Sequence, residues 1–281
     1  MGGCWTAWPR GLNTKPDPFA VRDGRLCLED SDLSDLADFL EGRAAWLVGH
    51  VAVSAAIDAA GTCTIPIAKI GPPAVLAMLA RAGAWAHVRS THELDLARAA
   101  GFTRERIAAG GRVLEDGFLK DALCEQVAVL ECDEATAANA TRIGAALGLE
   151  LPPTTGAPPA LPAGTFARCG GLLAPLLSDP PSLVMDAVWD TSIDERAEIL
   201  PVVDPGGDGA PVDVTLEGLE GTGSRPARLH GAAKRGDWVV VPSTASLVVR
   251  GADAAHPAPR TVMVRGESWR VLEPRRFPSS D

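Results

Sequence analysis

The chain of 281 residues has no tyrosine, four lysines against 22 arginines, and no two cysteines spaced as CxxC. It also lacks a long uninterrupted apolar run. The six cysteines, Cys4, Cys27, Cys63, Cys124, Cys132 and Cys169, are scattered and too sparse for a disulfide scaffold. Reduced thiols in a cytoplasmic protein are therefore expected. The opening MGGCWTAWPRGLNTKPDP has no apolar core of a secretory signal. The most apolar window, Ala44 to Gly61, is interrupted by His50 and Asp58, and reads as a buried strand and helix rather than a membrane span. A net charge of -10 speaks against nucleic acid and against an anionic membrane surface, both of which need clustered Lys and Arg. No metal is expected either. His87, His92, Cys124 and Cys132 show no ligand spacing, and Leu96 stands where H-E-x-x-H needs its second histidine. Gly206-Gly207-Asp208-Gly209 lacks the spaced acids of a calcium loop and reads as a turn.

What is present is a rhythm. Apolar runs begin near Ala44, Cys63, Trp85, Ile107 and Val127, and helical segments follow near 51–60, 73–82, 91–100, 115–124 and 134–147. Short strands alternating with helices predict a parallel sheet. Ser90-Thr91-His92-Glu93 has the S-x-x-E form of a capping box, and Asp133 suits a helix N-cap. From Leu149 the pattern changes. LELPPTTGAPPALPAG reads as an extended linker, and beyond it come β-rich runs at 182–188, 198–203, 212–216, 238–241, 246–249, 261–264 and 268–272. These predict an antiparallel β domain. The expected division is 1–150 as a βα domain, 151–164 as a proline-rich linker and 165–281 as the β domain. Arg225, Arg228, Lys234 and Arg235, in RPARLHGAAKRG, read as a solvated basic loop, and Cys169 as a buried thiol rather than a nucleophile.

The ordered series of blocks resembles the fold-type III pyridoxal-phosphate decarboxylases, the diaminopimelate/ornithine decarboxylase family. DPFAVRDGRLCLEDSDLSDLADFLEG is similar to the family's opening strand and helix. IPIAKIGPPAVLAMLARAGAWAHV is similar to its lysine-bearing unit, whose usual form is close to YAVKANPNPAVLRLLAELGAGFDV. STHELDLARAAGFTRERIAAGG and VAVLECDEATAANATRIGAALG resemble the next units, and the stretches from CGGLLAPLL and from LEGTGS resemble the return into the β domain. The resemblance implies a (βα) TIM-type barrel followed by a C-terminal β domain, pyridoxal phosphate (PLP) as cofactor, and dimers with sites at the interface. It implies Lys69 as the lysine that forms the imine with the cofactor. Glu220, kept in LEGTGS, and His87, on the family's aspartate position, are secondary site candidates.

Elsewhere the family pattern breaks. The later barrel strands and the glycine-rich loops that hold the cofactor phosphate are absent, so the expected barrel is shortened and cofactor binding weak. Gly110-Gly111 and Gly170-Gly171 lack the context of such loops. Leu161-Pro162-Ala163-Gly164 has no acid for the ring nitrogen. The motif cysteine and tyrosine are missing. The expectation is a truncated, catalytically impaired pseudoenzyme of amino-acid metabolism. It would act as a homodimer, or as partner or regulatory subunit of a full-length decarboxylase that covers the open barrel edge. The alternative is an active amino-acid decarboxylase with its imine on Lys69 and its missing groups supplied by a partner subunit.

Overall fold

The structure is a computed structural model that describes residues 18–70, 72–111, 114–154, 156–162, 165–166, 169–185, 197–203, 210–218, 224–242 and 260–272. They fall into two compact units: the described residues up to Ala56 with those from Phe166 onward, and Ile57–Thr165. No helix among the described residues is long and apolar enough to cross a membrane.

The first unit opens with the hairpin β1 (Phe19–Arg22) and β2 (Arg25–Leu28). Asp23 and Gly24 turn it with φ of 49° and 75°, the left-handed pair that a two-residue hairpin turn requires. Then come β3 (Ser31–Asp32), α1 (Leu33–Phe39) and β4 (Ala45–Gly49). The Asp32 carboxylate caps α1 by accepting from the Ser34 N–H at 2.8 Å.

The second unit contributes the next strands in chain order, β5 (Thr64–Pro66), β6 (Trp85–Val88), β7 (Ile107–Gly110) and β8 (Val129–Glu131). The first unit resumes with β9 (Gly170–Pro175), β10 (Ser182–Val184), β11 (Ala197–Pro201), β12 (Val212–Glu217), β13 (Ser224–Leu229), β14 (Trp238–Pro242), β15 (Arg260–Arg265) and β16 (Ser268–Leu272). Its main sheet has the order β10-β12-β13-β11-β14-β9-β4-β15-β16. Pairing is mostly antiparallel, with β10–β12, β11–β13 and β4–β15 parallel.

Side-chain alternation feeds two cores. Trp46, Leu172, Ala174, Val239 and Val241 pack in one cluster; Ala45, Leu47, Leu173, Val240, Val262 and Val264 pack in another with Leu33, Leu36 and Leu40. A strand buried on both faces reads as a continuous apolar run, which is why AWLVG looks like a parallel-sheet strand in the sequence. This corrects the expected division near residue 150. β4 is the first run of the βα rhythm, yet it lies between β9 and β15 in the first unit's sheet. Glu29 ties the N-terminal hairpin in place. Its carboxylate accepts from Val51 N–H at 2.5 Å and from Gly266 N–H at 2.9 Å, and Ser31 Oγ donates to Gly266 O at 2.8 Å. Val51 lies in the first turn of α2 (His50–Ala60), in which the boundary between the units falls.

Residues 224–229, expected as part of a loop, form β13. Only Ala227 and Leu229 are buried there, so the alternation carries little apolar signal. Lys234 and Arg235 do lie in the turn that follows.

The second unit holds a four-stranded parallel sheet of order β5-β6-β7-β8, with α3 (Pro73–Arg81), α4 (Thr91–Ala99), α5 (Asp116–Cys124) and α6 (Glu134–Leu147). The expected caps are present. Glu93 N–H donates to Ser90 Oγ at 3.2 Å, Thr136 N–H donates to Asp133 Oδ1 at 2.8 Å, and Gly148 closes α6 in the left-handed conformation.

Strands do not close this sheet into a barrel among the described residues. Its outer strands instead bond to one proline-rich segment. On β8, Leu130 N–H donates to Pro153 O at 3.0 Å. On β5, Thr64 N–H donates to Pro159 O at 2.8 Å, Thr64 O accepts from Leu161 N–H at 2.9 Å, and Thr64 Oγ1 donates to Pro158 O at 2.7 Å. Proline suits this role because it keeps its carbonyl acceptor and takes an extended backbone.

Candidate functional site at the strand ends of the parallel sheet

Lys69 ends a single 3-10 turn, Ile67–Lys69, that directly follows β5. Ile67 and Ile70 are buried on either side of it, while Lys69 is exposed. The turn packs against β6 and α4. Lys69 thus lies just past the strand rather than on it, with its amine available to solvent. The C-terminal ends of parallel strands are where βα folds gather functional groups.

The next strands add a pair. His87 on β6 is half-buried, and its Nε2 lies 3.6 Å from Glu131 Oε2 at the end of β8. A whole strand separates them, and Gly110 on β7 makes the approach feasible. A Cβ there would fall 2.8 Å from Glu131 Cβ and 2.9 Å from His87 Nε2. Register pairs His87 with Ala108 and Gly110 with Glu131, so Gly110 lies two residues beyond the partner of His87 and on the same side of β7. Glu131 was missed from sequence because its strand is only three residues long and ends on it. The signal that would have found it is the glycine at the end of the neighbouring strand.

A phosphate held at these strand ends would need free backbone N–H groups and a helix N-terminus without opposing charge. The four helix starts do not offer this. α3 begins Pro72-Pro73, which removes two donors. At α4, Ser90 Oγ already takes the Glu93 N–H, and the Glu93 carboxylate takes the Arg89 N–H at 2.9 Å. α5 begins with Glu115 and Asp116, and α6 with Asp133 and Glu134. The Asp133 carboxyl is held below the ordinary carboxylate range by the Thr136 N–H hydrogen bond, so its negative charge is secure.

Nor do the glycine pairs form phosphate loops. Gly111 N–H donates to Glu131 O at 3.3 Å, and Gly170 and Gly171 lie within β9, paired with β4. The described residues therefore fit an imine-forming amine but not the phosphate of PLP.

Other thiols and acids add little. Burial pushes the Cys63 thiol up, and burial with the nearby Asp133 charge does the same for Cys132, so neither is poised as a thiolate. Cys169 is buried. Among the described residues no three His, Cys, Asp or Glu side chains meet as a metal site. Glu220 and the loop 206–209 lie outside the described residues.

No protein-family model matches the chain. No curated protein matches it in sequence. Solved structures do. Diaminopimelate decarboxylase from M. jannaschii in complex with L-lysine superposes with a TM-score of 0.72 at 12% identity, over 92% of this chain and 96% of that one. The Helicobacter pylori diaminopimelate decarboxylase, also with L-lysine, gives 0.67 at 10% identity, over 86% and 97%. The arginine decarboxylase of Paramecium bursaria Chlorella virus gives 0.60 at 10% identity, over 82% and 100%. These neighbours are decarboxylases of the kind the sequence resembles, and at such identities the likeness establishes the fold alone.

Proposed function

We propose that this chain is a decarboxylase-like protein that does not itself turn over an amino acid. It acts in the cytoplasm as a partner or regulatory subunit of an amino-acid decarboxylase, in a dimer with a full-length relative or with itself. The observation that carries the reading is the chemistry of the helix starts around Lys69. Two prolines, a filled capping box and two acidic pairs stand where a cofactor phosphate would need donors and positive potential. Phosphate contacts are charge-assisted hydrogen bonds worth about 1.5–3 kcal/mol each, so losing several of them removes most of the hold that an amine alone cannot replace. The partner role rests on the fold's likeness to the decarboxylases and on the dimeric habit that the resemblance implies. It does not rest on uncovered sheet edges, because Pro153 bonds to β8 and Pro159 and Leu161 bond to β5.

A second reading keeps Lys69 at work, with a partner subunit supplying the phosphate contacts. The exposed Lys69, in a turn that packs against the strand bearing His87, favours it. One experiment separates the two. PLP is titrated into the purified chain, alone and co-expressed with a full-length decarboxylase of the same organism, and visible absorbance is followed. Borohydride reduction and peptide mapping come next. The first reading expects co-purification and no pyridoxyl group on Lys69. A pyridoxyl group fixed on Lys69 of the chain alone overturns it, and one found only in the complex selects the second reading.

A further inference from the structure

The proline-rich segment beside β5 is bonded along one edge. On that inner edge Pro158 O and Pro159 O accept from Thr64, and the Leu161 N–H donates to Thr64 O. These bonds make a parallel bridge between Thr64 and Ala160. In such a bridge the bonds run from the neighbours of Ala160, so its own N–H and C=O turn away from β5. Ala160 makes no hydrogen bond among the described residues. Pro159, Ala160 and Pro162 are exposed, and Leu161 is half-buried. The segment is thus held in place from one side and open on the other. Its prolines limit what can meet the open side. Pro158, Pro159 and Pro162 carry no N–H, and Leu161 spends its own on Thr64, so Ala160 alone keeps a free donor between 158 and 162. A further strand needs a row of donors and is excluded. A proline-fixed extended chain is recognised from the side instead. It makes a turn about every three residues, which brings side chains three apart onto one ridge. Pro159 and Pro162 have that spacing, as P-x-x-P with Ala160 and Leu161 between them.

We propose that residues 158–162 form a docking ridge for a partner domain whose groove is lined by aromatic side chains. Pro159 and Pro162 enter the slots between the rings, and a donor of the groove, an indole N–H or a phenol O–H, meets the outward C=O of Ala160. The bonds to Thr64 order the ridge before the partner arrives, so docking costs less chain entropy than it would for a free proline peptide. Neither Lys69 nor a cofactor takes part.

The test is calorimetric titration of the full chain with two purified probes that carry aromatic-lined grooves, an SH3 domain and a WW domain. Saturable binding of at least one probe is expected, with amide shifts of the labelled chain centred on Ala160 and Leu161. Pro159→Ala and Pro162→Ala each weaken it at least tenfold, and Ala160→Glu abolishes it. Ala160→Glu falls on an exposed side chain and keeps every bond to Thr64, so folding is preserved. A synthetic peptide of residues 156–165 binds the same probe more weakly than the full chain does. Lys69→Ala leaves binding unchanged. Absence of saturable binding to either probe in the millimolar range, insensitivity to the three ridge substitutions, or tighter binding by the peptide than by the chain overturns the proposal.

Discussion

Thr64 is the residue through which the proline-rich segment holds the edge of the parallel sheet, and Thr64→Val tests that role. The residue is 6% exposed and makes three of the contacts, through its N–H, its carbonyl and its hydroxyl. Valine keeps the shape and the two backbone bonds but removes the Oγ1 donor to Pro158 O. A net hydrogen bond is worth about 0.5–1.5 kcal/mol, and an acceptor left dry costs about 1–3 kcal/mol. Pro158 is only half-buried, so water can reach its carbonyl and the lower figure applies. The added methyl returns up to about 0.8 kcal/mol if it is buried. The expected loss is therefore about 1 kcal/mol of global stability in urea denaturation. The local effect is sharper. In the native protein the amides of Thr64, Leu130 and Leu161 are all held by the strap and exchange slowly. In Thr64→Val the Thr64-position and Leu161 amides exchange about tenfold faster while Leu130 changes less, because one hydrogen bond out of the set is lost. If the Thr64 and Leu130 amides of the unaltered protein exchange at open-chain rates, the segment does not cover the sheet edges and the reasoning fails.

Three further outcomes follow from particular contacts. Gly110→Ala drives a Cβ into His87 and Glu131, so it destabilises by about 1–3 kcal/mol, as overpacking does; an unchanged melting temperature would mean that the two side chains do not meet across β7. Glu29→Ala frees the N–H groups of Val51 and Gly266 and lowers stability by about 1–3 kcal/mol, read by urea denaturation; a neutral result would remove its tying role. Asp133 has a folded pKa below its unfolded value, so its contribution is present above the unfolded pKa and is lost as pH falls through the folded one. The stability gap between the unaltered protein and Asp133→Ala is accordingly widest near neutral pH and closes below the ordinary carboxylate range, and a gap independent of pH would show that the charge of this cap is irrelevant.

The parallel half of the fold was legible because its signals are local. The runs near Cys63, Trp85, Ile107 and Val127 became β5 to β8, and the caps at Ser90 and Asp133 fell where S-x-x-E and a lone aspartate placed them. β4 was misassigned for the opposite reason. Its partners β9 and β15 lie more than a hundred residues downstream, and a strand buried on both faces looks alike in either sheet. β13 stayed hidden because Arg225, Pro226 and Arg228 mask its alternation. At the site, Lys69 was visible through a resemblance of its neighbours, whereas the pairing of His87 with Glu131 depends on register and on the missing side chain of Gly110. The linker looked like a spacer because prolines promise an extended path and say nothing of what their carbonyls accept.

The number of strands is not what decides whether the cofactor's phosphate can be held. A four-stranded parallel sheet still presents four helix starts at its strand ends, and one well-formed start would be enough to bind an anion. Acidic residues at these starts stabilise their own helices by about 0.3–1 kcal/mol each through the helix dipole. Asp133 adds a side-chain cap to that, and Ser90 with Glu93 does the same for α4. The same groups occupy the donors and reverse the potential that a phosphate needs. Helix stability and anion binding compete for one set of N–H groups; at α4 and α6 the side-chain caps hold them, and at α5 the acidic charge of Glu115 and Asp116 stands against an anion. On the proposed reading, Lys69 is left as an amine without that anchor.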